Sequence, residues 1–391
     1  MTKKSEIILS ILFVAFVFIF GILFVVLPDI SFSESENRIL AQMPKASLKT
    51  VFDGSFESDF ESYVTDQFPF RDFWVRSNTI VSMSVLNKKD INGVYIGDDG
   101  YLLEKFENID TNRLNNQIEA LIKFDGWNDT PISFAIVPTS VSIYKEKLPA
   151  FAPAETVTDS EVLSNQKDYI DRFYSSLPET VNTIDLYSVL TSHKDEYIYY
   201  RTDHHWTTLA AFYAYEEICK EFGIESSDIS EFDQIAVSDS FYGTFYSKGN
   251  FPVAPDTITR FDHKFPVSYT LSSDGGEIRD TFYADEFLDK KDKYAYFMSG
   301  NPAHMTVNTE AGTGKTLVVV KDSYTHCLLP FFVPHFDTIH MIDPRYINQN
   351  MTDFIAPLEP DQILIIYNAK TLSDDVNFTK FGYTPRNNVT E

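Results

Sequence analysis

In the stretch YYRTDHHWTTLAAFYAYEEI, residues 199–218, an acid, two adjacent histidines and a tryptophan stand directly before an amphipathic run. The chain has only 8 histidines in 391 residues, so a pair in one turn concentrates what acid–base chemistry there is. Three readings of Asp203-His204-His205-Trp206 are open from the residues alone. A carboxylate two positions before an imidazole, as Asp203 stands before His205, can hold the ring in one tautomer and stabilise its cation, the orienting part of a Ser-His-Asp triad. In that reading His204 points elsewhere. Asp and His also bind metals, but adjacent histidines lack the i, i+4 spacing that puts both on one helical face, and no Cys or Glu cluster supplies the remaining ligands. The third reading is a structural turn whose histidines are simply hydrogen-bonded.

A nucleophile for the first reading must come from elsewhere. KTLVVVKDSYTHCLLPFF (315–332) gives a β-branched run, then Lys321-Asp322-Ser323-Tyr324, then an apolar segment that predicts a helix up to Pro330. In an open α/β sheet, ligands sit beyond the carboxyl ends of the strands, and a serine at the start of the next helix is exposed there. Its oxyanion would meet free backbone N–H groups and the positive end of the helix dipole. The structural alternative is that Asp322 or Ser323 is a helix N-cap. AGTGKT (311–316) imitates part of a phosphate-binding loop, but that loop needs a glycine where Thr309 stands, and the stretch precedes its strand instead of following it. It reads as a turn.

The elements that must position these residues follow from periodicity. ISFAIV (132–137), VNTIDL (181–186), TLVVV (316–320), TIHMI (338–342) and ILIIY (363–367) are short apolar runs alternating with amphipathic stretches. This pattern predicts an α/β fold with a parallel sheet flanked by helices. NGVYIGDDGYLLE (92–104) carries a hairpin signal at Asp98-Asp99-Gly100. Thr207 or Thr208 can cap a helix that stops near Gly223. Residues 224–310 are less regular and predict an insertion.

Residues 7–27 contain no charge, and a helix of that length spans a bilayer core of about 30 Å. Lys3 and Lys4 precede it and Asp29, Glu34 and Glu36 follow it, so the positive-inside bias exports the remainder. A cleaved signal peptide is the rival, but the run is long for an h-region and no small-x-small pattern follows Leu27. The organisation expected is a cytosolic tail (1–6), a transmembrane anchor (7–27), a juxtamembrane and helical segment (28–88) and a main domain (89–391) with its insertion around 224–310. A formal net charge of −25 argues against nucleic acid or an anionic membrane surface as partner, since both need clustered Lys and Arg. Two cysteines, Cys219 and Cys327, are too few for a disulfide scaffold and allow at most one bridge.

RTDHHWT resembles the signature of the bacterial DHHW family, which is similar to the alginate O-acetyltransferase family and belongs with the SGNH-hydrolase-like proteins. DQFPFRDFW, VPTSVSIYKEKLP, FYGTFYSKGN, VVKDSY, MIDPRY and ILIIYNAKTL resemble further family blocks in matching order, so the likeness covers roughly residues 60–375. It implies an SGNH-like domain in which Asp203 and His205 pair with Ser323, without metal or cofactor. The order is reversed from ordinary SGNH hydrolases, where the serine comes first, so their oxyanion glycine and asparagine cannot be placed by motif. Tyr324, Trp206 and Asn368 are candidates for substrate or oxyanion contacts, with a buried capping role as the alternative for Asn368.

The function implied is a membrane-anchored, extracellular carbohydrate O-acyltransferase, O-acetyl by resemblance, working on a polysaccharide or cell-wall glycan. Because no acyl-coenzyme A is expected outside the cell, the donor would arrive through a membrane-bound acyltransferase partner. An esterase using the same three residues is the alternative within chemistry. A noncatalytic polysaccharide-binding or assembly protein is the alternative outside it, and 34 Phe and 22 Tyr would suit sugar stacking although most belong to the core.

Overall fold

The computed structural model describes residues 3–36, 38–150, 152, 155–156, 165–274 and 276–386. The chain forms two compact units, one of Met1–Ile91 with Tyr246–Pro252, the other of Asn92–Phe245 with Val253–Glu391.

In the first unit, helix α1 (Lys3–Val26) has a mean hydropathy of 3.2 over its most apolar window and buries none of it. It is long and apolar enough to cross a membrane, as an anchor or as a signal sequence. Of the six-residue tail expected before it, Met1 and Thr2 lie outside the described residues and Lys3–Glu6 are already helical. Three helices follow: α2 (Leu48–Phe52), α3 (Ser55–Asp66) and α4 (Arg71–Ser84). The loop 246–252 is tied to α4 by the Thr79 hydroxyl, which donates to the Gly249 carbonyl at 2.6 Å.

The second unit opens with the hairpin β1 (Val94–Ile96) and β2 (Leu102–Glu104). Asp99 adopts a left-handed φ of 56° at the tip, a conformation Asp tolerates better than most residues. Then come α5 (Thr111–Asp125), β3 (Ile132–Val137), α6 (Gln166–Ser175), β4 (Val181–Ile184), α7 (Leu186–Ser192) and α8 (Thr208–Phe222). A two-stranded ribbon, β5 (Phe232–Phe241) with β6 (Asp256–His263), precedes β7 (Tyr269–Ser273), β8 (His304–Thr309), β9 (Thr316–Lys321), β10 (Thr338–Ile342), β11 (Gln362–Asn368) and α9 (Ala369–Asp374).

The main sheet has the order β7-β8-β10-β9-β11-β3-β4. From β10 to β4 every pairing is parallel, while β7 and β8 add an antiparallel edge. The three inner parallel strands bury both faces: every residue of β3 is buried, as is every residue but the first of β9 and of β11. Continuous Val/Ile runs, not alternation, are what such a doubly covered sheet demands. Within 224–310, the residues expected as an insertion, lie the ribbon and the two edge strands.

The chain departs from the sequence expectations at two termini. No α-helix follows β9; residues Ser323–Cys327 and Leu329–Phe332 are two short 3-10 turns. Pro330 has no N–H to extend an α-ladder, and the Thr325 hydroxyl donates to the Asp322 carbonyl at 2.7 Å, closing the turn early. Helix α8 does end at Gly223, with a left-handed φ of 65°, and Thr207 does stand at its N-cap, but neither threonine side chain makes a capping hydrogen bond. The Thr207 hydroxyl donates to the Tyr197 carbonyl and that of Thr208 to the Thr259 carbonyl. Cys219 and Cys327 are both buried and free.

Candidate active site

Strand β9 lies inside the parallel sheet, between β10 and β11, and its carboxyl end delivers Asp322 and Ser323 to the crevice where such sheets bind ligands. The backbone of Ser323 is fixed by its preceding neighbour. Asp322, fully buried, accepts from the Tyr324 N–H at 2.9 Å with one oxygen, and from the Asn368 N–H at 2.8 Å and the Asn368 amide at 2.6 Å with the other. The carboxylate thereby joins the end of β9 to the end of β11. Burial raises the Asp322 pKa against the hydrogen bonds from Asn368 and Tyr324, which favour the ion.

The turn before α8 arrives from the other side. Tyr199 pairs with Trp206 across it, and buried Asp256 clamps its backbone. The Asp256 oxygens accept from the N–H groups of Arg201 (2.9 Å) and Thr202 (2.8 Å) and from the hydroxyls of Thr202 (2.6 Å) and Tyr197 (2.5 Å). Two cross-braces tie this turn to the nucleophile turn. The Trp206 indole N–H donates to the Tyr324 carbonyl at 2.8 Å, and the Tyr324 hydroxyl donates to the His204 carbonyl.

Between the two turns the structure brings Asp203, His205 and Ser323 together. His205 Nδ1 lies 2.6 Å from Asp203 Oδ1, and His205 Nε2 lies 2.8 Å from Ser323 Oγ. A carboxylate only accepts, so Nδ1 carries the proton and the Nε2 lone pair faces the serine hydroxyl. Asp203 also accepts the His205 backbone N–H at 3.0 Å, and its second oxygen accepts from the Thr244 N–H at 2.7 Å and hydroxyl at 3.0 Å. Tyr294 stacks on the imidazole of His205, with centroids 3.6 Å apart and planes 12° apart, and its hydroxyl donates to the Ser323 carbonyl at 3.3 Å.

Electrostatics separate the acid from the base. Burial works against the Asp203 charge, but His204 and His205 and the hydrogen bonds from His205 and Thr244 outweigh it and hold the carboxyl well below the usual range. Burial, reinforced by His204, pushes His205 down to about 4 against the opposing pull of Asp203. The imidazole is therefore neutral at neutral pH, the form that can take a proton.

His204 turns the other way, with Nδ1 2.7 Å from the Thr244 hydroxyl and its side chain a third exposed. Asp203, His204 and His205 each offer an atom within 4.8 Å of the others. In the arrangement described, both nitrogens of His205 and both oxygens of Asp203 are engaged in hydrogen bonds.

Asn368 takes the buried capping role that stood as its alternative, and Tyr324 and Trp206 make contacts within the protein. Asn368 is the N-cap of α9: its carbonyl oxygen accepts the Thr371 N–H at 2.8 Å and its amide is spent on Asp322 and the Thr371 hydroxyl. Tyr324 and Trp206 are both wholly buried, and their polar atoms make the cross-braces, so neither offers a face for sugar stacking. The Tyr324 N–H, the natural oxyanion donor after a nucleophile, is likewise held by Asp322. Three contributors carried no signal of their own in the sequence: Tyr294, Asp256 and the Gly243-Thr244 pair, although the last lies inside FYGTFYSKGN. Lys321 and Arg345 prove to converge on buried Asp343. Arg345 contacts it with Nε at 2.8 Å and Nη2 at 2.6 Å, and Lys321 Nζ lies 3.8 Å away while donating to His326 at 2.8 Å.

The fold is a mixed α/β sheet with a parallel centre whose late strand β9 presents a serine to an Asp-x-His turn that lies earlier in the chain. The chain belongs to the DHHW family, whose model matches residues 133–342. Among solved structures, a DHHW family protein from Eubacterium siraeum is 23% identical, with a TM-score of 0.63 over 74% of this chain and 95% of that one. Bacillus cereus PatB1 is 19% identical, with a TM-score of 0.59 over 73% of this chain and 98% of its own; it has also been solved with a sulfonyl adduct. At these identities the likeness is one of fold. No curated protein matches the sequence.

Proposed function

We propose that this chain is a membrane-anchored O-acyltransferase of the cell exterior that places an acyl group, acetyl by family resemblance, on a hydroxyl of a polysaccharide or cell-wall glycan. The observation that carries this reading is the continuous hydrogen-bonded series Asp203–His205–Ser323. His205 Nε2 takes the Ser323 proton as Oγ bonds to the carbonyl carbon of the donor, and Asp203 stabilises the imidazolium. The tetrahedral intermediate expels the donor's leaving group, which receives that proton, and acyl-Ser323 remains. A sugar hydroxyl then gives its proton to Nε2 and attacks the ester, and Ser323 Oγ leaves and regains the proton. The donor side is assigned to a membrane-bound acyltransferase partner that passes the acyl group across the bilayer. Trp206, Tyr324 and Asn368 serve this chemistry as supports, not as substrate contacts.

Full-length protein in detergent should turn over p-nitrophenyl acetate and be labelled at Ser323 by a sulfonyl fluoride, and Ser323→Ala should abolish both. Adding a hydroxylated oligosaccharide should divert acyl groups from water to sugar. Hydrolysis unaffected by the sugar would establish an esterase, and a folded protein that neither reacts nor is labelled would establish the binding or assembly reading.

A further inference from the structure

Helix α1 is not a bare rod. Phe16, Phe20 and Phe24, spaced four residues apart on one face, all carry aromatic partners from the segment where α3 turns into α4. Phe20 stacks on Phe68 with centroids 5.5 Å apart and meets Trp74 at 5.6 Å and Phe70 at 6.5 Å. Phe16 meets Trp74 at 6.1 Å, and Phe24 meets Tyr63 at 5.6 Å. At ~1.5 Å per residue, Phe20 lies about 9 Å and Phe16 about 15 Å along the axis from the end of α1 at Val26. The uncharged run from Ile7 to Val26 is about as long as a bilayer core is thick. Whatever rests on Phe16 and Phe20 therefore lies at acyl-chain depth when α1 spans a membrane.

The outward surface of this segment suits that depth. Phe70 and Phe73 are each 61% exposed, and further along α4 and just beyond it Ile80, Val81, Val85 and Leu86 are exposed as well. A contiguous apolar face of this kind marks an interaction surface, whereas scattered single residues would not. An apolar-walled hollow of about 530 Å³ adjoins it, with Leu27, Ile30, Phe32 and Phe68 in its lining. Several polar groups of the turn are engaged within the segment, while the charged side chains of Asp72 and Arg76 stay exposed on α4. The Trp74 indole donates to the Pro69 carbonyl at 3.1 Å, and Gln67 accepts from the Ile30 N–H and donates to the Ile30 and Ala41 carbonyls, all at 2.9 Å. Arg71 and Arg38 are paired with Glu36 and Asp66.

We infer that the α3–α4 turn is a second membrane-contacting element, lying beside the outer part of α1 with Phe70, Phe73 and the edge of Trp74 against lipid acyl chains. The occupant of this face is the lipid bilayer, continuous with the one α1 crosses. The inference rests on the proposed anchor. The helix bundle then holds the start of the exported chain down on the membrane instead of letting it swing on a free tether.

The test uses the full chain reconstituted into phosphatidylcholine vesicles with and without lipid brominated in the upper part of its acyl chains. Brominated lipid should quench part of the tryptophan emission, and Trp74→Phe should remove that quenchable part whereas Trp127→Phe should leave it, Trp206 being fully buried. A Phe70→Ser, Phe73→Ser variant should stay in the vesicles through carbonate washing, because α1 still holds it, yet lose quenching and shift its emission to the red. Protein that resists carbonate but shows no Trp74-dependent quenching overturns the inference alone. Protein extracted by carbonate and unquenched overturns the anchor and the inference with it.

Discussion

Gly243 packs so closely on Asp203 that a Cβ built on the glycine would fall 2.2 Å from the Asp203 Cβ and 2.3 Å from its Oδ2. No side chain fits there, and the next residue, Thr244, supplies both hydrogen bonds to that oxygen. Gly243→Ala must therefore displace the carboxylate that orients His205. A shift of about 1 Å in such a group costs on the order of 10²-fold in rate, while overpacking costs about 1–3 kcal/mol of stability. The expected result is a folded protein with a lower Tm whose kcat for p-nitrophenyl acetate falls far more than its KM changes.

The two histidines should behave oppositely. His205→Gln should lower ester turnover by about 10²–10⁴-fold, the range for a lost general base, whereas His204→Gln should cost much less. Ser323→Ala combined with His205→Gln should be scarcely worse than Ser323→Ala alone, because such groups act as a unit. Equal losses at His204 and His205 would contradict the assignment.

The pH profile follows from the same pair. A base with its pKa pushed down to about 4 is protonated only below that value, so the rate should rise with pH through the region of pH 4 and then level off across neutrality. In His204→Gln the neighbouring charge that helps depress His205 is gone, and the rising limb should move to higher pH. Initial rates in matched ionic-strength buffers, limited to the range where circular dichroism shows the fold intact, would measure it.

Trp206→Phe tests the cross-brace. The ring volume largely remains, but the buried Tyr324 carbonyl loses its indole donor, which costs about 1–3 kcal/mol. Tm should drop by a few degrees, and activity should fall with it because the same carbonyl belongs to the residue after Ser323. An unchanged Tm would show that the hydrogen bond contributes nothing.

Much of this was written in short-range pattern. The Val/Ile runs at 132–137, 316–320, 338–342 and 363–367 declare buried parallel strands because no other environment covers both faces of a strand. The grouping of Asp203, His205 and Ser323 came from the family resemblance, since from the residues alone Asp-x-His left three readings open and a serine after a β-run could equally be a helix cap. What escaped was long-range in character. Tyr294 lies on His205 only through the path of the chain between β8 and the edge strand before it, and Asp256 reaches the 201–202 backbone across more than fifty positions. Whether Tyr324 and Trp206 face a substrate or the interior was not readable, because an exposed aromatic group at a strand end and a buried one look alike in sequence, while for Asn368 the capping alternative is the one found. The helix expected after Ser323 failed for a readable reason, Pro330, whose effect reached further back than the periodicity allowed.

The pairing of β3 with β11, Ile132 against Ile363 and Val137 against Asn368, sets an order of events for a chain synthesised amino end first. Strand β3, the first strand of this sheet to be made, can pair with β4 on one side but has to wait, unpaired along the other, until nearly the last residues of the chain have been added. Sheets closed by such distant partners form slowly, and an open row of backbone donors and acceptors invites the wrong partner meanwhile. The base and its serine meet only after that closure. A chain stalled or clipped before residue 362 should hence lack the assembled Asp203–His205–Ser323 series and be prone to aggregate.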